Sequence, residues 1–153
     1  MQNTNIAIVQ ATLEHFDRVA TLFDGYRQFY EQTPDLDGAR AFIRERITRG
    51  ESVIFLALGN NGAGLGFTQL YPTFTSVGMR RAWLLNDLFV AEEARGQGVA
   101  EALLQRAREF GISTNAKYLM LETAMTNTPA QRLYERLGWQ RDAEHYFYTL
   151  GLV

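Results

Sequence analysis

The stretch from Trp83 to Phe110 constrains the fold more than any other part of the chain. Trp83-Leu84-Leu85-Asn86-Asp87-Leu88-Phe89-Val90 reads as a strand whose apolar run is broken by two polar residues. A turn with two glycines follows, Arg95-Gly96-Gln97-Gly98, and then Val99, Leu103, Ala107 and Phe110 recur at helical spacing over residues 98–111. A strand that feeds a helix through a glycine turn needs a sheet with helices packed on it. Ser52 to Leu58 supports the same layering, because a continuous apolar run is expected of a strand covered on both faces.

The remaining elements are read from the same two periodicities. Ile6 to Val9 forms a short first strand. Thr12 is an N-cap candidate, and Phe16, Val19, Ala20, Phe23, Tyr26 and Tyr30 describe a helix with one buried face, ended by Pro34. A second helix is expected over about Asp37–Thr48, with Gly50 just past its end. Asn60-Asn61-Gly62 is turn chemistry, so Leu65 to Tyr71 is the antiparallel return of a hairpin. Tyr118 to Thr123 is a further strand. Asn127 or Thr128 caps a short helix that has Pro129 in its first turn and Ala130, Leu133, Tyr134 and Leu137 on one stripe. Trp139–Arg141 and Glu144–Leu150 are expected to close the fold as a pair of strands. The order β-α-α-β-β-β-α-β-α-β-β implies an α+β fold, a central mixed and mostly antiparallel sheet flanked by helices.

Composition narrows the function. The 153 residues are about one domain's worth, and no repeat, low-complexity stretch or linker divides them, so residues 1–153 are read as a single domain. Cysteine is absent, which excludes thiol nucleophiles, disulfides and thiolate metal sites. Two histidines, His15 and His145, are too few for a histidine-rich metal centre and are read as surface or structural, so no metal is expected. A formal charge of −2 lacks the basic excess that phosphate neutralisation demands, so no nucleic-acid partner is expected. No apolar run approaches the roughly 18–20 residues of a membrane span. The start, Met1-Gln2-Asn3-Thr4-Asn5, has no charged region leading into an apolar one. A cytoplasmic chain with no membrane partner is expected.

Chemistry concentrates in Arg95-Gly96-Gln97-Gly98-Val99-Ala100. Two glycines and a small alanine let backbone N–H groups approach an anion, and the helix that follows contributes its positive end. Arg95 can add a charge-assisted contact. The same glycines also suit an ordinary strand-to-helix turn. No Gly-Lys-Ser/Thr follows, so this is not a P-loop, and the spacing is not Gly-x-Gly-x-x-Gly. Asp87 and Glu122 are carboxylates in otherwise apolar strands, where burial raises a pKa toward the range of a general base. Either can equally be a hydrogen-bonded structural group, with a water chain serving as the base.

These residues resemble the acetyl-CoA signature of the GCN5-related N-acetyltransferase (GNAT) superfamily. That signature is Arg/Gln-x-x-Gly-x-Gly/Ala after a strand ending in Leu-x-Val; here it reads Arg95-x-x-Gly98-x-Ala100 after Leu88-Phe89-Val90. A second feature matches in Asn127-x-x-Ala130-x-x-x-Tyr134, followed by Leu137-Gly138-Trp139. Asn86-Asp87-Leu88-Phe89-Val90 is also similar to the Glu-Asp-Phe-Phe-Val of diamine acetyltransferases and to the Asn-Asp-Leu-Tyr-Val of a yeast histone and polyamine acetyltransferase group. Asn86 stands where the diamine enzymes carry an acidic residue.

The resemblance implies direct acetyl transfer from acetyl-CoA to an amine without an acyl-enzyme. Its implied coenzyme contacts are the backbone of Leu88, Phe89 and Val90, the loop Arg95, Gly96, Gln97, Gly98, Val99 and Ala100, and Asn127 with Ala130. Tyr134 is implied as general acid toward the coenzyme sulfur, although a Tyr on an apolar stripe also suits a core. Asn127 is equally a helix cap. Tyr26, Arg27, Tyr30 and Asn86, with Phe29, Tyr71, Phe74 and Asp35 nearby, are candidates for holding a cationic amine, the aromatic ones by cation–π attraction. Aromatic residues of this kind also serve as core or as a dimer face. A small-molecule amine is the expected acceptor and a homodimer the expected assembly, from the family habit and the aromatic run Tyr146-Phe147-Tyr148. A protein or peptide lysine or N-terminal acetyltransferase, a silent acyl-CoA-binding module, and a protein for another phosphate ligand are the alternatives.

Overall fold

A computed structural model describes residues 5–153, so the first four residues of the start read above lie outside the described residues. The chain divides into two compact units, Met1–Leu121 and Glu122–Val153. The first holds β1 (Ala7–Gln10), α1 (Phe16–Phe29), α2 (Leu36–Arg49), β2 (Val53–Leu58), β3 (Gly64–Thr75), β4 (Arg80–Val90), α3 (Val99–Ser113) and β5 (Leu119–Met120). The second holds α4 (Thr128–Arg136). The sheet runs β1-β2-β3-β4-β5, antiparallel except for the parallel β4–β5 pair.

Local chemistry accounts for the helices of the first unit. Thr12 and His15 form a capping box ahead of α1, which gives His15 a structural role. Asp35 caps α2 through the Gly38 N–H, and Gly50 ends it in the left-handed conformation at φ +63. One core lies between these two helices and the sheet, with Phe16, Val19, Phe23, Ile43, Leu56 and Phe67 buried. On the opposite face α3 lays Phe110 against Phe55 and Trp83, with ring centres 5.5 and 4.9 Å apart. β2 is sandwiched between the two layers, as its apolar run requires.

Two strands outgrow the sequence reading. β3 and β4 pair out to Thr75 and Arg80, beyond the apolar runs that announced them. The register of that pair shifts between Gln69 and Leu70: Gln69 faces Asp87 while Leu70 faces Leu85. Asn86 is therefore the extra residue of a β-bulge. The bulge exchanges the faces of β4. Before it, Trp83 packs on α3; after it, Phe89 packs on Tyr26 of α1, and Asp87 shares the α1/α2 face.

The expected strand over 118–123 shortens to Leu119–Met120, because β5 pairs with β4 only at Trp83 and Leu84. The closing pair expected over 139–141 and 144–150 is not formed. Those residues carry no ladder hydrogen bonds, and Tyr146, Phe147, Tyr148 and Leu150 are exposed. Apolar alternation makes a strand only when a partner edge takes its N–H and C=O groups. No helix among the described residues is long and apolar enough to cross a membrane.

Candidate functional site

The glycine turn leaves open backbone at the start of a helix. Gly96 and Gly98 both have left-handed backbone, φ +76 and +82. Conformation, not crowding, selects glycine here, since a Cβ at either would meet nothing within 4 Å. Gly98 is the N-cap of α3, and no side chain caps the helix. The positive end of the helix dipole thus faces the turn and suits an anion. Val99 is buried and anchors the turn, while residues 95–98 are exposed. The Arg95 Nε donates to the Val90 carbonyl at 3.1 Å, and its guanidinium lies 5.9 and 5.8 Å from the ring centres of Phe29 and Phe89. Gln97 donates to the Glu93 carbonyl. Open space, the start of a helix and a held cation fit a diphosphate.

β4 offers the turn a strand edge. β5 leaves β4 after Leu84, so on that side Leu88, Phe89 and Val90 have no strand partner among the described residues. Their side chains are half-buried, Phe89 toward α1 and Val90 toward α3. Gly66 lies opposite Val90, and a Cβ there would come within 2.7 Å of the Phe89 carbonyl. The two strands approach each other closely because residue 66 has no side chain.

On the other face, Asp87 is 1% exposed. Its carboxylate accepts from Gln69 Nε2 at 2.6 Å and from Asn86 Nδ2 at 2.7 Å. Gln69, fully buried, accepts in turn from the Ser52 hydroxyl at 2.7 Å, and the Thr68 hydroxyl donates to the Asp87 carbonyl at 2.7 Å. Burial pushes the Asp87 carboxyl above its ordinary value, and the bonds from Asn86 and Gln69 pull it partway back. Burial, and next the nearby Asp87 charge, push the Tyr71 phenol up to about 12. Gln69, Thr68 and Ser52 were not singled out from the sequence. The available signal was two polar residues, Thr68 and Gln69, inside the apolar strand Leu65–Tyr71.

The α1 candidates separate into two sets. Tyr26 meets Tyr30, Phe67 and Phe89 edge-on, and its hydroxyl donates to the Asn86 carbonyl at 3.2 Å. Phe29 and Tyr30 are exposed at the helix end. Arg27 instead pairs with buried Asp24 at 2.8 Å and donates to the Thr33 carbonyl, which fixes the turn into α2. Phe74 is exposed near the hairpin end with Arg81 over its ring. A cleft of about 440 Å³ beside α1 is lined in part by Asp17, Arg18, Leu22, Phe89, Glu92 and Glu93, too acidic for an anion. Among the described residues no group of three or more His, Cys, Asp or Glu side chains is placed to hold a metal ion.

In the second unit Asn127 is the N-cap of α4, its Oδ1 accepting from the Ala130 N–H at 3.4 Å, with Thr128 as the first helical residue. Tyr134 and Ala130 are half-buried, and the Tyr134 ring lies 6.1 Å from that of Trp139. Glu122, expected in a strand, lies beyond the last paired residue and is exposed. The burial that recommended it as a base is missing, because β5 stops at Met120. His145 pairs with Asp142 at 2.8 Å on the exposed C-terminal segment.

Residues 17–139 match the family model described as the Acetyltransferase (GNAT) family. The chain is 44% identical over 145 residues to the uncharacterized N-acetyltransferase YhfO of Bacillus subtilis, covering 95% of this chain and 97% of that one. It is 29% identical to aminoglycoside N(6')-acetyltransferase type 1 of Serratia marcescens, over 73% and 80% of the two chains. A crystal structure of a probable acetyltransferase superposes with a TM-score of 0.91 at 46% identity, covering 96% of this chain and 98% of the other.

The Asp87 environment predicts a pH dependence of stability. A carboxyl whose folded pKa lies above its unfolded 3.8 binds more protons in the folded state as pH climbs past 3.8. Stability then falls across that window and levels off above the folded pKa. Urea unfolding of wild type and Asp87→Asn from pH 4 upward should show the wild type losing stability relative to the variant. Parallel stability–pH curves would show that burial exerts no such pressure on Asp87.

Proposed function

Because the chain belongs to the acetyltransferase (GNAT) family and is an N-acetyltransferase, we propose that it moves the acetyl group of acetyl-CoA directly to a primary amine of a small molecule, polyamine-like or amino-acid-like. The observation that carries this reading is the uncapped start of α3 behind two left-handed glycines, beside an unpaired strand edge. A diphosphate matches the N–H groups of the Arg95–Ala100 turn, and an extended amide-bearing arm matches the edge of β4. The family match runs through both compact units, which supports reading residues 1–153 as one acetyltransferase domain; a cytoplasmic location is part of this proposal.

When bound, acetyl-CoA supplies the acetyl group as an activated thioester. The chain's residues do the rest. Leu88 and Val90 hold the pantetheine arm through their backbone groups, and an N–H at Phe89 or Val90 polarises the acetyl oxygen. Asn127 and Ala130 add contacts at the coenzyme. The amine nitrogen attacks the carbonyl carbon as the carbon–sulfur bond breaks. Asp87 takes the amine proton, supported by its burial and raised pKa, and Tyr134 gives a proton to the departing sulfur, supported by its spacing from Asn127. Tyr26, Tyr30 and Asn86 hold the acceptor. Arg27 shapes the α1 end, since Asp24 already occupies its guanidinium.

The likeness of Asn86–Val90 to diamine acetyltransferases and the Serratia relative, named for an aminoglycoside, support a small amine as acceptor. Exposed Tyr146, Phe147, Tyr148 and Leu150 support a homodimer; sedimentation should give a dimer at tens of micromolar, an order-of-magnitude range for functional dimers, and a clean monomer would remove it.

A panel of polyamines, amino acids, aminoglycosides and lysine peptides, read by thiol release, tests the acceptor class. Release only with peptides would overturn the small-molecule reading. Tyr134→Phe keeps the ring and loses the acid, so turnover should fall by about 10²–10⁴ with little change in coenzyme affinity. Turnover within about threefold of wild type would take the acid role from Tyr134.

Gly98→Val should weaken acetyl-CoA binding by about tenfold or more, the value of one charge-assisted hydrogen bond. Gly50→Val, at a similar φ of +63 against +82, is the control for backbone strain. Equal coenzyme affinity in both variants would remove the turn assignment.

A further inference from the structure

We propose that Gln69, oriented by Ser52, is the positioning residue that keeps Asp87 able to accept the amine proton, and that this pair sets the lower pH limit of acetyl transfer. The inference rests on Asp87 being the proton acceptor, as argued above.

The geometry is a chain of hydrogen bonds from Ser52, just ahead of β2, through Gln69 on β3 to Asp87 on β4. The Ser52 hydroxyl donates to Gln69 Oε1 at 2.7 Å, and Gln69 Nε2 donates to Asp87 Oδ2 at 2.6 Å. A primary amide has one accepting and one donating end. Fixing Oε1 on Ser52 turns Nε2 toward the carboxylate. The second carboxylate oxygen is served by Asn86, the bulge residue, at 2.7 Å. Both donors are neutral, and Gln69 is as deeply buried as the group it serves, with no exposure at all.

Charge explains why the amide matters. Asp87 has left water, so its charged form is disfavoured and only local donors restore it. A hydrogen bond to an ionised group is roughly twice as strong as one to a neutral group. Loss of the Gln69 donor therefore costs the carboxylate more than the carboxylic acid, and the pKa rises. The ionisable groups around Asp87 do not supply a counter-charge. From α1 there is Tyr26, bonded to the Asn86 carbonyl. From β3 there is Tyr71, a phenol held protonated up to about pH 12. From α2, Arg46 acts on that phenol and pairs with Glu51 at 3.3 Å.

The step balances without further reagents. As the amine nitrogen bonds to the acetyl carbon, the carbon–sulfur bond breaks and coenzyme A leaves as a thiol with the Tyr134 proton, while the amine proton passes to Asp87. Asp87, now neutral, returns its proton to solvent and Tyr134 regains one from it. An Asp87 that is already protonated at the working pH cannot take part. The donor from Gln69 is what keeps the carboxylate populated at lower pH.

The test is a pair of readouts on Gln69→Leu and Ser52→Ala. Carbon-13 NMR of labelled aspartate follows the Asp87 carboxyl, and the pH–rate profile with acetyl-CoA and a small amine follows catalysis. In Gln69→Leu the Asp87 midpoint should rise by about one unit or more, and the acidic limb of the profile should move up with it. Ser52→Ala, a milder change, should move both in the same direction by less, and it carries the test if Gln69→Leu does not fold. An unmoved Asp87 midpoint in the folded variant, with Asp87→Asn still abolishing the acidic limb, overturns the role of Gln69 and leaves the base assignment standing. A midpoint that rises while the limb stays in place overturns the base assignment, and this inference with it.

Discussion

Between the paired positions Leu85 and Asp87, β4 carries one residue more than β3, and the chemistry open to this site depends on that residue. Side chains alternate along a strand, so a regular β4 would place Asp87 on the same face as Trp83 and Leu85, packed under α3. The Asn86 bulge moves Asp87 to the α1/α2 face, opposite Gln69, which Ser52 in turn holds. A bulge also sharpens the local twist and bends its strand. The parallel pairing with β5 ends at Leu84, just ahead of it. One inserted residue thus buries an acid on one side of the strand and adjoins the point where the strand's other edge falls open.

The two halves of the first unit's site have opposite electrostatic needs. The start of α3 suits an anion, and a carboxylate pressed against it would compete for its N–H groups. Because the bulge sends Asp87 toward α1 and α2 while Val90 packs toward α3, the carboxylate is kept off the face where α3 begins. Arg95 spans the boundary, bonded to the Val90 carbonyl and flanked by Phe29 and Phe89. The aromatic end of α1 is thereby tied to the turn that follows β4.

What the sequence made legible follows from which features are local. The helix stripes, the glycine turn and the Asn127 cap depend on residues a few positions apart and lie where the spacing placed them, except that α1 ends at Phe29 and leaves Tyr30, read as part of its buried stripe, exposed. The GNAT motif belongs to the same class, since its residues lie within one turn or one helix. A bulge is different. Asn86-Asp87 was visible as a polar break in an apolar strand, but a bulge is defined by the register of the neighbouring strand, which no local pattern records. Gln69 stayed hidden for the same reason, because its importance comes from facing Asp87 across the sheet. The losses have the same physical root. Tyr118–Thr123 and the segment after Gly138 have the composition of strands, yet the pairing with β4 reaches no further than Leu119 and Met120, and Glu122 beyond it is exposed.

The character of the donors around Asp87 is the last step. A buried carboxylate can be kept ionised by a cation or by neutral hydrogen-bond donors, and the two have different consequences. An adjacent arginine would lower the pKa by about one to three units and leave an anion with little affinity for a proton. Neutral amides stabilise the charge more weakly, while burial pulls in the opposite direction. The balance leaves Asp87 with a pKa above the ordinary carboxylate value, yet still held by Gln69 and Asn86. General bases work best when their pKa approaches the working pH. The guanidinium of Arg27 is consistent with this division, for it pairs with Asp24 at the turn between α1 and α2. The ion pair of Arg27 and Asp24 thus sets a turn, while the amides of Gln69 and Asn86 hold the buried carboxylate.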